Sequence, residues 1–296
     1  MEGQHSPSLP YPMIKTKAYA KINLSLEVTG RRIDGYHEIC TLIHSIDLSD
    51  SITFSLGENI LVTSNEPTLN EENNLVFRSA NLLKNFSQYP GGTSIKLNKN
   101  IPIAAGLGGG SSDAAVTLIE LNELWNLRIS AQNLSSLATQ LGTDVPFFLT
   151  GGCALAVGRG DTLNPTVAIE GIWAIILSPP HKFSAKTSEI YSLLNKRDFT
   201  DGSHTRELAT EITNGNATIY NLSKGQNVFE KVAMEAFSGL DHHFRTFLKC
   251  GAPFVKLSGT GPSLFTLVDD WDLASHLYKT VKQEDANVHL AELIHG

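Results

Sequence analysis

"IPIAAGLGGGSSDAA", residues 101–115, is the stretch that decides how this chain is interpreted. Its glycines are followed by two serines and an alanine-rich apolar run, a pattern typical of a loop that leads into a helix. Glycines let the backbone approach a phosphate closely and gather several N–H groups in one concavity. A helix that begins there adds unpaired N–H groups and a positive dipole end. The stretch therefore predicts an anion-binding loop, with Ser111 or Ser112 as the helix N-cap and Asp113 in the first turn.

Two known phosphate-binding motifs do not fit this loop. A Walker P-loop needs a Gly-Lys pair, and the chain contains none. A Rossmann fingerprint fits at Gly106 and Gly108 but has Ser111 at its third glycine position, and it belongs to a first βα turn rather than to a segment after residue 100. Two interpretations remain at this point: a different anion cradle that uses the same physics, or a structural turn whose serines only cap the helix.

Composition limits the classes of protein to which the chain can belong. Its 296 residues suffice for one large or two smaller domains, and its formal net charge of −7 argues against a nucleic-acid binder. Three widely spaced cysteines without a CxxC motif predict neither disulfides nor a zinc site. Residues 1–13 form a polar, proline-rich tail without the marks of a targeting signal, and no apolar run is long enough to span a bilayer. We therefore expect a cytoplasmic protein without a membrane partner.

A second informative stretch is "AYAKINLSLEV", residues 18–28, in which apolar and polar residues alternate. This alternation predicts a half-buried strand whose polar face carries Lys21 and Asn23 side by side. The following segment, residues 30–38, reads as a turn-rich loop that contains Tyr36 and His37. His37 and Glu38 begin an HExxH pattern, but residue 41 is threonine, so a zinc protease is excluded.

Further elements follow from periodicity and capping. Strands are predicted over 49–56 and 93–104, and helices over 73–86, 111–127 and 130–142, the last with Ser130 as N-cap and Gly142 just past its end. Pro146 predicts an extended Val145, which places Asp144 at a helix exit. Beyond a boundary near 164–170, the order strand, helix, strand, strand, helix, strand predicts a ferredoxin-like unit.

Four segments, in the same order, resemble the GHMP kinase superfamily. "PIAAGLGGGSSDAA" is similar to its glycine-rich signature, and the segments 20–42, "LGTDVPFF" at 141–148 and "LSGTGPSLF" at 257–265 resemble a branch with a cytidine diphosphate substrate. The resemblance covers roughly residues 17–270. It implies an α+β fold of two domains, a ribosomal-protein-S5-like N-terminal domain at 14–166 and a ferredoxin-like C-terminal domain at 167–296.

The resemblance also implies a catalytic pair, Lys21 and Asp144. Without it, a strand lysine is usually solvated and an aspartate after a helix is usually a turn residue. Kinase chemistry needs an in-line hydroxyl, charge neutralisation and a group that orients or accepts the hydroxyl proton. A carboxylate paired with a lysine suits that role.

The resemblance assigns further residues to the two ends of a substrate cleft. The residues implied on the acceptor side, where an aromatic face can stack on cytosine, are Asn23, Tyr36, His37 and Thr187. The residues implied on the ATP side are Asn74, Lys99, Pro102, Ile103, Ala104, Ala105, Gly106, Leu107, Gly108, Gly109, Gly110, Ser111 and Ser112. Asp113 adds an anion near the phosphates, which would cost affinity unless it points into solvent or toward Mg²⁺.

The implied reaction is phosphorylation of the 2-hydroxyl of 4-diphosphocytidyl-2-C-methylerythritol by ATP·Mg²⁺, on the non-mevalonate route to isoprenoid precursors. The metal ligands are not assigned, and the sequence does not indicate an oligomeric state. Two alternatives stay open: a superfamily kinase for another acceptor, such as homoserine or mevalonate, and a non-catalytic nucleotide-binding regulator.

Overall fold

The computed structural model describes residues 13–67, 69, 74–179, 187–284 and 287–295. Two stretches with sequence predictions lie outside the described residues. They are residues 1–12 of the N-terminal tail and residues 180–186, directly before Thr187. The elements of the first half are β1 Met13–Arg31, β2 His37–Gly57, β3 Ile60–Ser64, α1 Leu75–Ser87, β4 Gly92–Asn98, α2 Gly109–Leu124, α3 Ala131–Leu141, a 3₁₀ turn Val145–Leu149, β5 Cys153–Gly158 and β6 Thr162–Thr166.

The second half contains shorter elements. They are β7 Trp173–Leu177, α4 Thr187–Ser192, a 3₁₀ turn Lys196–Asp198, α5 Ser203–Thr213, α6 Ile219–Ser223, α7 Glu230–Ala236, α8 Leu240–Lys249, β8 Lys256–Leu257, β9 Leu264–Val268, α9 Trp271–Glu284 and β10 Val288–Glu292. Among the described residues, no helix combines the length and the apolar character that crossing a membrane requires.

The first sheet is built around the long strand β2. It runs in the order β3-β4-β2-β5-β6, and β1 pairs antiparallel with β2 along almost its whole length. Helices α1, α2 and α3 cover one face through an apolar core that includes Phe54, Leu83, Leu118 and Phe147. Because the glycine loop connects β4 of this sheet to α2, the sheet and the helix fix both ends of the loop.

The second sheet has the order β10-β7-β9-β8, with every pair antiparallel. Numbered within this half, the order is 4-1-3-2, which is the ferredoxin-like arrangement that the sequence predicts. Ala20 and Ile22 of β1 share one apolar core with Ile176 of β7 and Phe265 of β9. Since the two halves share this core, the predicted domain boundary at 166/167 stays a prediction.

The prediction that β1 is half-buried is wrong. Between Ala18 and Val28 both faces are buried except at Tyr19, and Lys21 and Asn23 are 4% and 5% exposed. On the polar face, Glu27 accepts a hydrogen bond at 2.7 Å from the backbone N–H of Thr205 in α5. Packing of the second half against β1 therefore covers a face that sequence alternation assigns to solvent.

The predicted start of α2 is also wrong. The helix begins at Gly109 with Gly108 as N-cap, at φ 72° and without a side-chain capping bond, so neither Ser111 nor Ser112 caps it. Glycine tolerates this left-handed backbone, which lets the chain turn into the helix before the serines are reached. Asp113 consequently lies beyond the first turn.

The structure confirms one predicted helix boundary near the site and overturns another. Ser130 caps α3 by accepting a hydrogen bond from the backbone of Asn133 at 3.3 Å, and Gly142 follows the helix. Val145 is not extended, because Val145–Leu149 forms a 3₁₀ turn that begins directly after Asp144. Pro146 is tolerated there, since the first positions of a helical turn need no N–H donor.

Candidate active site

One cavity of about 1140 Å³ collects most of the residues that the sequence assigns to a site. Its walls come from β1, the glycine loop, Thr143 and Asp144 just before the 3₁₀ turn, α4 and the glycine turn at residues 259–261. The predicted residues that line it are Lys21, Asn23, Tyr36, His37, Asn74, Lys99, Pro102, Ile103, Ala104, Ala105, Gly106, Gly108, Gly109, Gly110, Ser111, Asp144 and Thr187. Leu107 and Ser112 are buried and do not line it.

Lys21 and Asp144 form an ion pair inside this cavity. The lysine Nζ lies 3.8 Å from Oδ2 of Asp144, and the two side chains are 5% and 41% exposed, respectively. Burial lowers the pKa of Lys21 below its usual value, and the nearby Asp144 carboxylate partly opposes that shift. The pair therefore combines a fixed, desolvated cation with a carboxylate that an incoming molecule can reach.

A chain of hydrogen bonds fixes the position of Lys21. Its Nζ donates to Oδ1 of Asn23 at 2.5 Å, and Nδ2 of Asn23 donates to the hydroxyl of Thr41 at 2.8 Å. That hydroxyl donates to the backbone carbonyl of Ser25 at 2.7 Å, which determines the orientation of the Asn23 amide. Asn23 therefore positions Lys21, while its predicted contact with a substrate stays a prediction.

The glycine loop adopts a conformation that requires glycine at two positions. Gly106 and Gly108 have φ values of 80° and 72°. A Cβ on Gly106 would lie 2.1 Å from the backbone oxygen of Ser258, and one on Gly108 would lie 2.6 Å from the Phe148 ring and 3.0 Å from Cγ of Lys21. The loop thus packs directly against both Lys21 and the second half of the chain.

The turn at residues 258–261 holds the loop from the other side. Ser258 donates a hydrogen bond from its hydroxyl to the backbone oxygen of Gly106 at 3.0 Å. The backbone N–H of Ser263 donates to the carbonyl of Ala105 at 3.2 Å. Gly259 and Gly261 also line the cavity, so this second glycine turn faces the same cleft as the first.

Lys99 is engaged in a buried ion cluster. Its ammonium contacts Asp50 and lies 2.7 Å from Oδ2 of Asp113. Asp50 also accepts hydrogen bonds from the backbone N–H groups of Asn100 and Ile101, at 2.5 and 2.8 Å. Asp113 does not point into solvent, because its side chain is buried against Lys99. A direct bond from Lys99 to a nucleotide stays a prediction.

Asn74 both caps a helix and lines the cavity. It is the N-cap of α1, where its Oδ1 accepts a hydrogen bond from the backbone of Val76 at 2.9 Å, and it also lines the cavity. The cap anchors the N-terminus of α1 beside the glycine loop, where a Cβ on Gly110 would lie 3.5 Å from Leu75. Its contact with a nucleotide stays a prediction.

The opposite end of the cavity is aromatic. Tyr36 is 53% exposed, and the His37 ring lies 5.0 Å from the ring of Tyr191 and 5.9 Å from that of Phe199. Burial lowers the pKa of His37, and the positive charge of Arg31 acts in the same direction, so both effects favour the neutral imidazole. Thr187 begins α4 beside this group and lines the cavity.

Sequence reasoning missed several residues around the cavity. Tyr191 follows Thr187 by four residues in a predicted helix, so the two share one helix face, which is a signal that the sequence contains. Asp50 shares a strand face with the apolar Ile52 and Phe54, which indicates a buried acid. Arg159, whose guanidinium lies 5.1 Å from the centre of the Tyr36 ring, gives no comparable signal.

The chain matches a known protein family over the segment that contains the glycine loop, and it shares its fold with a solved kinase structure. A family model described as GHMP kinases N terminal domain matches residues 74–152, which include the glycine loop and Asp144. The chain also resembles a homoserine kinase structure from Cytophaga hutchinsonii with a TM-score of 0.74 at 18% identity, over 99% of this chain and 98% of that one, a likeness of fold. The two sheets and the glycine loop thus define a GHMP-class kinase, an ATP-dependent phosphotransferase.

More similar proteins narrow the class. The chain is 36% identical to the 4-diphosphocytidyl-2-C-methyl-D-erythritol kinase of Dehalococcoides mccartyi strain 195, over 95% of this chain and 99% of that protein. It is 31% identical to a crystal structure of 4-(cytidine 5'-diphospho)-2C-methyl-D-erythritol kinase, with a TM-score of 0.79 over 96% of this chain and 100% of that one. The chain therefore belongs to the 4-diphosphocytidyl-2-C-methyl-D-erythritol kinase family.

Proposed function

We propose that this chain transfers the γ-phosphoryl group of ATP to the 2-hydroxyl of 4-diphosphocytidyl-2-C-methyl-D-erythritol, in the non-mevalonate route to isoprenoid precursors. The observation that carries the proposal is the continuity of one cavity. Lys21 packs against Gly108 of the glycine loop, and its partner Asp144 is near Tyr191, which in turn packs on His37. Burial and the Asp144 charge both raise the pKa of Tyr191. The ion pair therefore connects a phosphate-binding end with an aromatic end.

The glycine loop supports the ATP end of the proposal. Its backbone passes close to the cavity at positions where a side chain would clash, and the N-terminus of α2 begins inside it. Backbone N–H groups and the positive helix end are suited to the triphosphate, as in other anion-binding loops. In an acidic protein, these local donors hold the phosphates without a large basic surface.

Asp144 and Lys21 have distinct roles in the proposed transfer. Asp144 orients the 2-hydroxyl through a hydrogen bond and accepts its proton late, because phosphoryl transfer requires positioning more than early deprotonation. Lys21 stabilises the carboxylate and offsets negative charge that grows on the transferred group. Since Lys21 is buried and bonded to Asn23, this charge needs no reorganisation of solvent.

ATP use implies Mg²⁺. In the described part of the chain, no group of three or more His, Cys, Asp or Glu side chains is arranged to hold a metal ion. Such a cage is not required, because Mg²⁺ in kinases is bound by one or two carboxylates together with phosphates and waters. Asp144 fits as a ligand because its carboxylate is partly exposed to the cavity. Bound there, the ion would neutralise charge on the transferring phosphates.

The aromatic end supports a cytosine-bearing acceptor. The exposed Tyr36 ring offers a stacking surface, and neutral His37 offers one donor and one acceptor for the edge of a pyrimidine. Homoserine and mevalonate carry no aromatic ring, so a pocket for them has no use for this surface. The aromatic end therefore favours the cytidyl acceptor over the alternatives within the superfamily.

An ATP-consumption assay with purified protein tests the proposal. We expect ADP formation that requires 4-diphosphocytidyl-2-C-methyl-D-erythritol and is absent with homoserine or mevalonate. Turnover with another alcohol alone would retain the kinase and reject the cytidyl acceptor. Saturable ATP binding without turnover on any acceptor would favour a nucleotide-binding regulator instead.

A further inference from the structure

The ion cluster of Asp50, Lys99 and Asp113 lies directly beneath the glycine loop. Nζ of Lys99 is 3.2 Å from the point where a Cβ on Gly109 would stand, and both Lys99 and Asp113 reach the cavity wall. The three side chains are almost completely buried, at 6%, 0% and 3% exposure for Lys99, Asp50 and Asp113. A change in their charge would therefore act on a bound phosphate with little screening by water.

The two carboxylates of this cluster have different surroundings. Asp50 accepts bonds from Lys99 and from the backbone N–H groups of Asn100 and Ile101. Asp113 accepts only from Lys99 through Oδ2, and its buried Oδ1 has no hydrogen-bond partner among the described residues. A carboxylate with few donors in a buried site gains most from a proton, so the proton of the pair belongs on Asp113.

Few other charges act on Asp113. Helix α1 presents Leu75 to the beginning of α2, and the 3₁₀ turn presents Phe148. Helix α3 contains no charged residue, and Lys21 on β1, which packs against Gly108, is paired with Asp144. Burial raises the pKa of Asp113 to about 7; Lys99 opposes the rise and Asp50 adds to it.

We propose that Asp113 takes up one proton from solvent when a nucleoside triphosphate binds, so that the cluster becomes neutral beneath the bound phosphates. This inference rests on the proposed function, because it assumes that the glycine loop binds ATP. With both carboxylates ionised, the cluster has one net negative charge and repels the phosphates. Asp113 is thus a positioning residue that acts through Lys99, and the affinity for nucleotide decreases as pH rises above neutrality.

Calorimetry tests the proposal without an acceptor. The probe is a Mg²⁺ complex of a non-hydrolysable β,γ-imido ATP analogue, titrated into the full chain at pH 7.5 in HEPES and in Tris, whose protonation enthalpies differ. The slope of the heat against buffer enthalpy gives the number of protons taken up. We expect wild type to take up about half a proton or more beyond the Asp113→Asn variant, in which ionisation of the nucleotide itself is unchanged.

A matched control and a second measurement separate the outcomes. The control is Asp241→Asn, which makes the same chemical change in an exposed ion pair with Arg245. This variant should take up the same number of protons as wild type. The wild-type dissociation constant should rise severalfold from pH 7 to pH 8.5, and this rise should vanish in Asp113→Asn. If that variant does not fold, a wild-type dissociation constant that stays constant over this range overturns the proposal.

Two negative results have different meanings. Saturable binding with equal proton uptake in wild type and Asp113→Asn would overturn the role of Asp113 and leave the proposed kinase intact. Absence of nucleotide binding in wild type would overturn both the inference and the ATP site on which it rests.

Discussion

The side chains of Lys21 and Asp144 differ more in environment than their opposite charges suggest. The ammonium is enclosed and hydrogen-bonded to Asn23, whereas the carboxylate is open to the cavity. Burial makes the lysine a fixed electrostatic element, and exposure leaves the aspartate free to meet the acceptor hydroxyl. The division of roles in the proposed transfer follows from this difference.

Removing the charge of Asp144 should separate catalysis from binding. In Asp144→Asn the side chain keeps its size but no longer accepts the hydroxyl proton, so we expect kcat to fall by about 10²- to 10⁴-fold. Binding of the ATP analogue should persist, because the glycine loop is unchanged, with only the modest weakening that loss of one Mg²⁺ contact brings. Steady-state kinetics and calorimetry measure the two effects, with Asp241→Asn as a control. A kcat within twofold of wild type would remove Asp144 from the mechanism.

The protonation state of His37 should control acceptor binding. Its pKa is lowered by burial and by Arg31, so the neutral imidazole persists below the ordinary value of about 6.5. We expect KM for the cytidyl acceptor to stay constant from pH 8 to 6.5 and to rise at lower pH, where His37 gains a proton. His37→Gln should remove this rise. An acceptor KM with the same pH dependence in both proteins would contradict the role of His37.

At the scale of elements, the glycine loop depends on backbone geometry more than on side chains. Gly106→Ala places a Cβ 2.1 Å from the Ser258 carbonyl at a left-handed φ, so we expect a loss of stability of about 2 kcal/mol or more. Gly110→Ala is the matched control, since its Cβ would meet Leu75 at an ordinary 3.5 Å. Urea unfolding of both variants measures the difference. Equal stability would show that the contact between the two glycine turns is unimportant.

The sequence predicts elements well where a local signal is complete. Ser130 with the periodic run behind it defines α3, and the run 173–177 defines a buried strand. The predicted start of α2 is wrong because the actual N-cap, Gly108, has no capping side chain by which the sequence could identify it, whereas Ser111 and Ser112 have side chains typical of an N-cap. The predicted extended conformation of Val145 is wrong because the preference for an extended residue before proline is weaker than the packing of the 3₁₀ turn against α2.

The parts of the site that lie within recognisable sequence motifs are predictable. The loop, Lys21 and Asp144 follow from motifs, and the structure brings them into one cavity. The buried cluster beneath the loop does not follow, because Asp50 and Lys99 are 49 residues apart in sequence. Burial of the polar face of β1 is equally invisible, since it results from packing by the second half of the chain.

At the scale of the whole molecule, His44 joins the two halves. Its Nδ1 donates to the carbonyl of Ser45 at 2.9 Å, and its Nε2 accepts from the backbone N–H of Ile169 at 2.8 Å, in the connection between the two sheets. This arrangement needs the neutral imidazole, because a protonated Nε2 cannot accept. Burial lowers the pKa of His44 to about 4; the hydrogen bond to Ser45 opposes this shift.

Stability should therefore fall in mild acid. Between the unfolded value of about 6.5 and the folded value of about 4, the unfolded chain binds a proton that folded His44 refuses. At about pH 4, this difference in proton binding lowers the free energy of unfolding by about 3 kcal/mol. Urea unfolding from pH 7 to 4 should show a shallower decline in His44→Gln than in wild type or in the exposed control His276→Gln. Parallel declines in all three would contradict the role of His44.

Proton-coupled ³¹P NMR of the product can identify the hydroxyl that this chain phosphorylates. The carbon that bears the 2-hydroxyl carries a methyl group and no hydrogen, so a phosphate there gives a signal without splitting by a proton on that carbon. We predict such an unsplit monoester signal after incubation of wild-type protein with ATP and the cytidyl acceptor. A split monoester signal would place the phosphate on a primary or secondary hydroxyl, and either that result or the absence of a new monoester signal would rule out phosphorylation of the 2-hydroxyl by this chain.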